Sequence, residues 1–458
     1  MLRDRIVRPL VRALGSSTQV KVAAWSICLR LLGALLSFAI GIQLARYMGP
    51  AGLGIYGVVL GAAMLLGTAA QLGLPTLSVR ELSVRRAQQR GSTLQPLIFA
   101  FASITGVCGL LLGAGLALVG PSFAPPGTDY RIPFVVGGFI VPLSAGLMLV
   151  GSSLRGLDRL VQGQSLDIVI RPALMSVILF VVHFSSERMS AEIALASSSV
   201  AYVLALAIGT VWLLQAAPQG GGRVEGSRGE MAGWLRAAAP LAGVDLFRQL
   251  DGVYGILVVG AVSTAAEAGL FRVAASTAII LAMPCFVLHV TLAPRLARLH
   301  ASGDIIGLQS TFATSACVMF GSVVAGLMPI LFFGQQLITG LFGAEFAGSW
   351  PPLLMLIGAY AVSAFFGVGS IYLAMADGQG RLWRCSALTA CTCVFTAVPL
   401  ASWWGASGAA ASAIIGHVAG NLLAWHYVRR STGLDSSVMA LIQPRSGSAM
   451  LTSRAELR

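Results

Sequence analysis

The sequence predicts an all-α integral membrane protein, with about twelve transmembrane helices in two six-helix bundles related by a pseudo-two-fold axis along the membrane normal. Three observations carry this: an apolar composition, the recurrence of apolar runs of bilayer length, and an internal repeat. Of 458 residues, 56% are hydrophobic and only 10% charged, with a mean hydropathy of +0.83. Soluble domains carry about 25% charged residues, so a cytosolic enzyme is excluded. The two longest polar stretches, around 219–233 and after Arg429, are too short to bury a core of their own.

A bilayer core takes about 20 apolar residues per helix. That rule places spans one to twelve near 22–47, 53–75, 94–119, 132–154, 165–184, 191–214, 236–262, 266–290, 310–333, 351–376, 384–404 and 407–428. The chain then divides into a basic lead (1–21), a first bundle (22–214), a linker (215–235), a second bundle (236–428) and a tail (429–458). The lead is basic and amphipathic, and the apolar run after it is too long for a cleavable signal. An offset of about 215 residues brings Gly54-Ile-Tyr56 onto Gly269-Leu-Phe271 and Val79-Arg80 onto Pro294-Arg295. Because six is even, both halves share one orientation, the pattern of transporters that rock one half against the other.

The net charge is +13, from 30 Lys+Arg against 17 Asp+Glu. The basic residues sit mostly in short connectors, where they set topology and meet anionic lipid headgroups. No aromatic-interleaved basic patch stands apart from the spans, so nucleic acid is excluded as a partner. With the N-terminus inside, the inner segments hold Arg80, Arg85, Arg86, Arg90, Arg155, Arg159, Arg295, Arg298, Arg381, Arg384, Arg429 and Arg430, and the outer ones only Arg46, Arg131 and Arg188. Both termini are therefore expected to be cytoplasmic.

The informative residues are charges inside spans, each costing about 2.5–3.5 kcal/mol at the bilayer centre. Span one contains Arg30. Span seven contains Asp245, Arg248 and Asp251, span eight Arg272, and span five opens with Asp167 and Arg171. Arg30 has an alternative reading as a snorkelling side chain, and Arg248 as an internal ion pair with Asp245 or Asp251. A polar, cationic cavity between the bundles would hydrate both patches. Guanidinium groups grip phosphate bidentately and keep their charge, so the cavity points to an anionic cargo. Asp245 and Asp251 are then cavity carboxylates, with Asp251 a candidate coupling proton site. Gly52-Leu-Gly-Ile-Tyr-Gly57 matches a dinucleotide fingerprint but opens a membrane helix and follows no strand. The seven cysteines and five histidines form no recognisable metal-ligand set, and no cofactor is expected. Pro142, Pro172 and Pro284 interrupt spans four, five and eight, where freed carbonyls bend helices.

Ala45-Arg-Tyr-Met-Gly-Pro-Ala-Gly-Leu-Gly-Ile-Tyr56 resembles the first periplasmic turn of Wzx-type polysaccharide flippases, and Leu72-Gly-Leu-Pro-Thr-Leu-Ser-Val-Arg-Glu81 the end of their second helix. Leu250-Asp251 with Gly269-Leu-Phe-Arg272, Leu292-Ala-Pro-Arg-Leu-Ala-Arg298 and Leu341-Phe-Gly-Ala-Glu-Phe-Ala347 are similar to later segments in the same order. The resemblance runs from Val22 to Arg430. It implies membership of the multidrug/oligosaccharidyl-lipid/polysaccharide exporter superfamily, with twelve helices around a V-shaped cavity. It also implies transfer of undecaprenyl-diphosphate-linked oligosaccharide across the bacterial inner membrane, for lipopolysaccharide O-antigen or exopolysaccharide. The diphosphate would be held by cavity arginines, here Arg30 and Arg248 with Arg272 and Arg46. Beyond cargo and membrane lipids, a polysaccharide polymerase and a chain-length regulator are the implied partners. Span one lacks the acidic residue that many drug-exporting relatives carry, and there is no extra helix pair as in fourteen-helix lipid II flippases. The competing functions are a cation-coupled small-molecule exporter and a membrane-embedded glycan polymerase or ligase. Short outer loops speak against the enzyme, and no covalent chemistry is expected.

Overall fold

The computed structural model describes residues 17–88, 94–123, 130–185, 189–216, 228–376 and 379–441. The basic lead up to residue 16, most of the linker and the tail after residue 441 lie outside them. Among the described residues every regular element is helical. By length and apolarity alone eight helices qualify as membrane-crossing, and nine if the bent pair Ala265–Leu281 and Met283–Ala301 is one span. Two of the eight are double, at 46 and 53 residues. The charged helix Arg228–Val262 supplies span seven and brings the total among the described residues to twelve.

The two double helices are hairpins folded at glycine. Ser17–Ala70 turns at Gly49, whose φ of 68° is left-handed, a region open to glycine at no steric cost. Pro50 follows, so span two starts with a residue whose missing N–H costs nothing there. The two arms return to one neighbour: Gln43 accepts from Ser176 at 3.1 Å, and the Tyr56 hydroxyl reaches the adjacent Met175 sulfur at 3.8 Å. Gln379–Thr432 turns at Gly405 (φ 55°) in the same way. There Glu267 accepts from the freed Ala406 N–H at 2.8 Å.

The even span count puts both ends of the bundle on one face, here the terminal face; Gly49, Thr264 and Gly405 mark the opposite, distal face. Spans one to six form one lobe and seven to twelve the other. Large apolar side chains point outward, Phe99, Leu118 and Trp403 each being at least three-quarters exposed, as a lipid-facing surface requires. The lobes meet along spans two, seven and eight, with span one touching spans eight and nine. A Cβ on Gly54 would lie 1.7 Å from the Ala265 carbonyl oxygen and 2.9 Å from the Gly269 nitrogen, and one on Gly269 would lie 2.0 Å from the Pro50 oxygen. The repeat partners Gly54 and Gly269 thus face each other backbone to backbone, which only side chains this small permit.

Span eight is interrupted where Pro284 marked it: it bends by 48° between Leu281 and Met283, and Pro284 enters the first turn of the new segment. The start of the tail is also more than a polar connector. Asp435 is buried and accepts from Trp425 Nε1 at 2.9 Å, from Ser437 N at 2.9 Å and from Ser437 Oγ at 2.7 Å. Its backbone pairs with the Gln309 amide in both directions at 3.2 Å, pinning the chain after span twelve to the start of span nine.

Candidate functional site in the lobe seam

Three of the four arginines singled out from sequence touch the opposite lobe. Arg30 of span one lies over the Phe286 ring of span eight, 4.8 Å from its centroid. Arg272 of span eight lies over Tyr56 of span two at 5.0 Å; a Cβ on Gly57 would lie 2.8 Å from its Cδ, so glycine there makes room for the side chain. Both contacts place a guanidinium on an aromatic face, worth about 0.5–2 kcal/mol, while leaving its edge N–H groups for other acceptors. Arg46 sits at the distal face instead. It donates to the carbonyls of Leu341 (2.8 Å) and Gly340 (2.7 Å), the unpaired last turn of Ile305–Phe342, where a cation also suits the helix dipole. Phe38 packs edge-on against Phe342 beside it, at 5.5 Å.

Tyr56 leads from the seam into the first lobe. Its hydroxyl pairs with Ser198 at 3.1 Å. Arg171, within electrostatic range of Tyr56, lies over Tyr202 at 4.9 Å and is bridged to Asp167 at 3.0 Å. The local chain explains this pair. Pro172 cannot donate to the carbonyl four residues back, Ile168, and the helix widens there into a π turn over Leu166–Ile170. Span one closes on that carbonyl, since a Cβ on Gly33 would lie 2.4 Å from Ile168 O.

The second lobe holds a separate polar cluster. Asp251 faces His417 of span twelve, Oδ1 to Nε2 at 3.8 Å, and that Oδ1 is buried with no hydrogen bond among the described residues. His417 Nδ1 pairs with Ser363 Oγ at 2.7 Å, and Asn421 donates to the same hydroxyl at 3.2 Å. In place of the local pairing considered from spacing between Arg248 and Asp245 or Asp251, Asp251 faces a histidine of another span. Arg248 is exposed and lies within electrostatic range of Asp245, which takes a hydrogen bond from Thr76 of the first lobe. Arg30, Arg272 and Arg46 are thus strung along the seam at different levels, Arg248 stands apart, and the two carboxylates point to different partners. Tyr56, Arg155, His417 and Ser363 were not singled out from sequence, and Arg171 was noted only as a charge inside span five. For span five the signal was present in Asp167, Arg171 and Pro172; for His417 none was, because its partner is 166 residues away (417 less 251).

A profile of the Polysaccharide biosynthesis protein family matches residues 20–300, more than half of the chain. The chain belongs to that family. No curated protein matches it at a significant level. Among solved structures, an inward-facing multidrug resistance MATE family transporter of the MOP superfamily superposes with a TM-score of 0.72 at 14% identity, covering 90% of this chain and 98% of that one. The lipid II flippase MurJ in an inward closed conformation gives 0.70 at 11% identity, covering 92% and 91%. An outward-facing MATE structure gives 0.56 at 14% identity, covering 90% and 96%. At these identities the likeness establishes the fold: the two-lobed, twelve-span architecture of MOP transporters, in a multi-pass membrane protein of polysaccharide biosynthesis.

Proposed function

We propose that this family member flips an undecaprenyl-diphosphate-linked oligosaccharide from the cytoplasmic to the periplasmic leaflet of the bacterial inner membrane. The observation that carries the proposal is Arg272, a guanidinium projected from the second lobe onto Tyr56 of the first. A permanently cationic group at a junction that must part during alternating access can hold a diphosphate and exchange its own contacts as the lobes move. Arg30 and Arg248 serve the same anion from the terminal side, taken as cytoplasmic from the arginine bias of its connectors. Arg46 is released from the carbonyls of 340 and 341 when the distal seam opens, and then meets the diphosphate at the far leaflet. Asp251, facing His417 at 3.8 Å, is the coupling proton site, and Asp245 is a cavity carboxylate. The glycan reaches a polymerase and a chain-length regulator after release, for O-antigen or exopolysaccharide assembly. No covalent step is assigned to the protein.

The test is complementation of a strain lacking its own flippase, scored by surface polysaccharide. Arg272→Ala is expected to abolish complementation and Arg272→Lys to keep part of it. Full activity of both variants at normal protein levels would overturn the role of Arg272. Drug tolerance without polysaccharide export would instead favour a small-molecule exporter.

A further inference from the structure

Three helices of the first lobe converge on Arg155, an arginine that the sequence assigned to topology alone. Span one meets span five at Gly33 and Ile168, and span four meets span five at Gly151 and Gly163, where a Cβ on Gly163 would lie 2.3 Å from the Gly151 oxygen. The same absent Cβ would lie 2.8 Å from Cγ of Arg155, so the Arg155 stem crosses the bare backbone of Gly163. Its Nε is buried without a hydrogen bond among the described residues. The charges that act on it are Arg30 and Asp167, and the Asp167 carboxylate is engaged by Arg171 at 3.0 Å. Gln164, next to Gly163, also buries its Oε1 without a hydrogen bond among the described residues. Arg155 and Arg171 therefore share one carboxylate, and Arg30 is a further cation within electrostatic range of Arg155. Two like charges held within range of each other away from bulk water are unfavourable unless an anion joins them.

We propose that Arg155 and Arg30 together form the entry station for the diphosphate, at the terminal end of the seam, before the anion reaches Arg272. Arg155 is the next-to-last residue of Arg131–Gly156, at the level where a lipid headgroup enters from the terminal face. Arg272 lies seven residues, about 10 Å, from the distal start of its helix Ala265–Leu281. A diphosphate diester is a dianion and matches the uncompensated charge of the pair. The assignment rests on the flippase reading above.

The test uses the full chain in zwitterionic nanodiscs with a fluorescent polyprenyl diphosphate carrying no glycan. Arg155→Gln is expected to weaken binding by roughly tenfold or more, as loss of a charged phosphate partner does. Arg155→Lys should retain an intermediate affinity, and Arg159→Gln should bind as the parent does. Inorganic pyrophosphate should compete in the parent. Unchanged binding by an Arg155→Gln protein with the parent's melting profile would overturn the inference. Equal competition by phosphatidylglycerol would also overturn it, marking the pair as a general headgroup contact. Arg155-dependent binding without leaflet exchange would refute the flippase reading and leave the site. Leaflet exchange that is unaltered in Arg155→Gln would refute the site and leave the flippase reading.

Discussion

Gly54→Ala should shift the protein away from the sealed distal seam seen here. The added Cβ would lie 1.7 Å from the Ala265 carbonyl oxygen, whereas carbon and carbonyl oxygen approach no closer than about 3.3 Å without strain. Spans two and eight must therefore part by about 1.5 Å at their crossing. Both sides of the clash are backbone, so no side-chain rotation relieves it. Overpacking of this kind costs about 1–3 kcal/mol, paid only in the sealed state, which changes the sealed-to-open ratio by roughly 5- to 150-fold. The assay is pulsed electron-spin distance measurement between labels at Ser122 and Gln336, both exposed near the distal ends of opposite lobes, in a cysteine-free background. The expected result is a longer-distance population in Gly54→Ala and in Gly269→Ala. Gly41→Ala, where nothing lies within 4 Å of the new methyl, is the control and should match the parent. Distance distributions in Gly54→Ala identical to the parent's would refute the view that this glycine pair sets the seal.

Further expectations use the same structure. Arg46→Ala removes two charge-assisted hydrogen bonds to the end of span nine and should widen the same distance distribution, by less than Gly54→Ala because the site is solvent-exposed. Asp435→Ala strands the Trp425 and Ser437 donors and should lower stability by about 1–3 kcal/mol, read as a reduced melting temperature in detergent with transport retained in the surviving protein. Asp251→Asn should leave diphosphate-lipid binding intact while abolishing the response of transport to an imposed pH gradient; a normal response would remove Asp251 from coupling.

The span pattern was legible because the bilayer imposes it: each apolar run of about 20 residues had to become a helix. Even the hairpins could be read in outline, since Gly49 and Gly405 fall in the short gaps between predicted spans. The bend in span eight was legible only as Pro284, since a proline marks a weak point without saying how far the chain turns there. Within the site, Arg30 and Arg272 stood out through the cost of burying charge. Arg155 did not, because its place at the end of a span made it look like a topology signal; its contact with Gly163 is made between helices. The i, i+3, i+6 spacing of Asp245, Arg248 and Asp251 invited local pairing, yet helix rotation turns Asp251 to His417 across the lobe. Local periodicity thus located the costly residues, and packing between distant spans chose their partners.

Flipping of the lipid-linked glycan is tested most directly in liposomes holding the purified protein and an undecaprenyl-diphosphate oligosaccharide labelled on its glycan, with leaflet exchange scored by a membrane-impermeant reagent. Protein-dependent exchange is expected, lost in Arg272→Ala and partly kept in Arg272→Lys. Absence of exchange by folded protein with a matched cargo, or exchange indifferent to Arg272, would contradict the proposal.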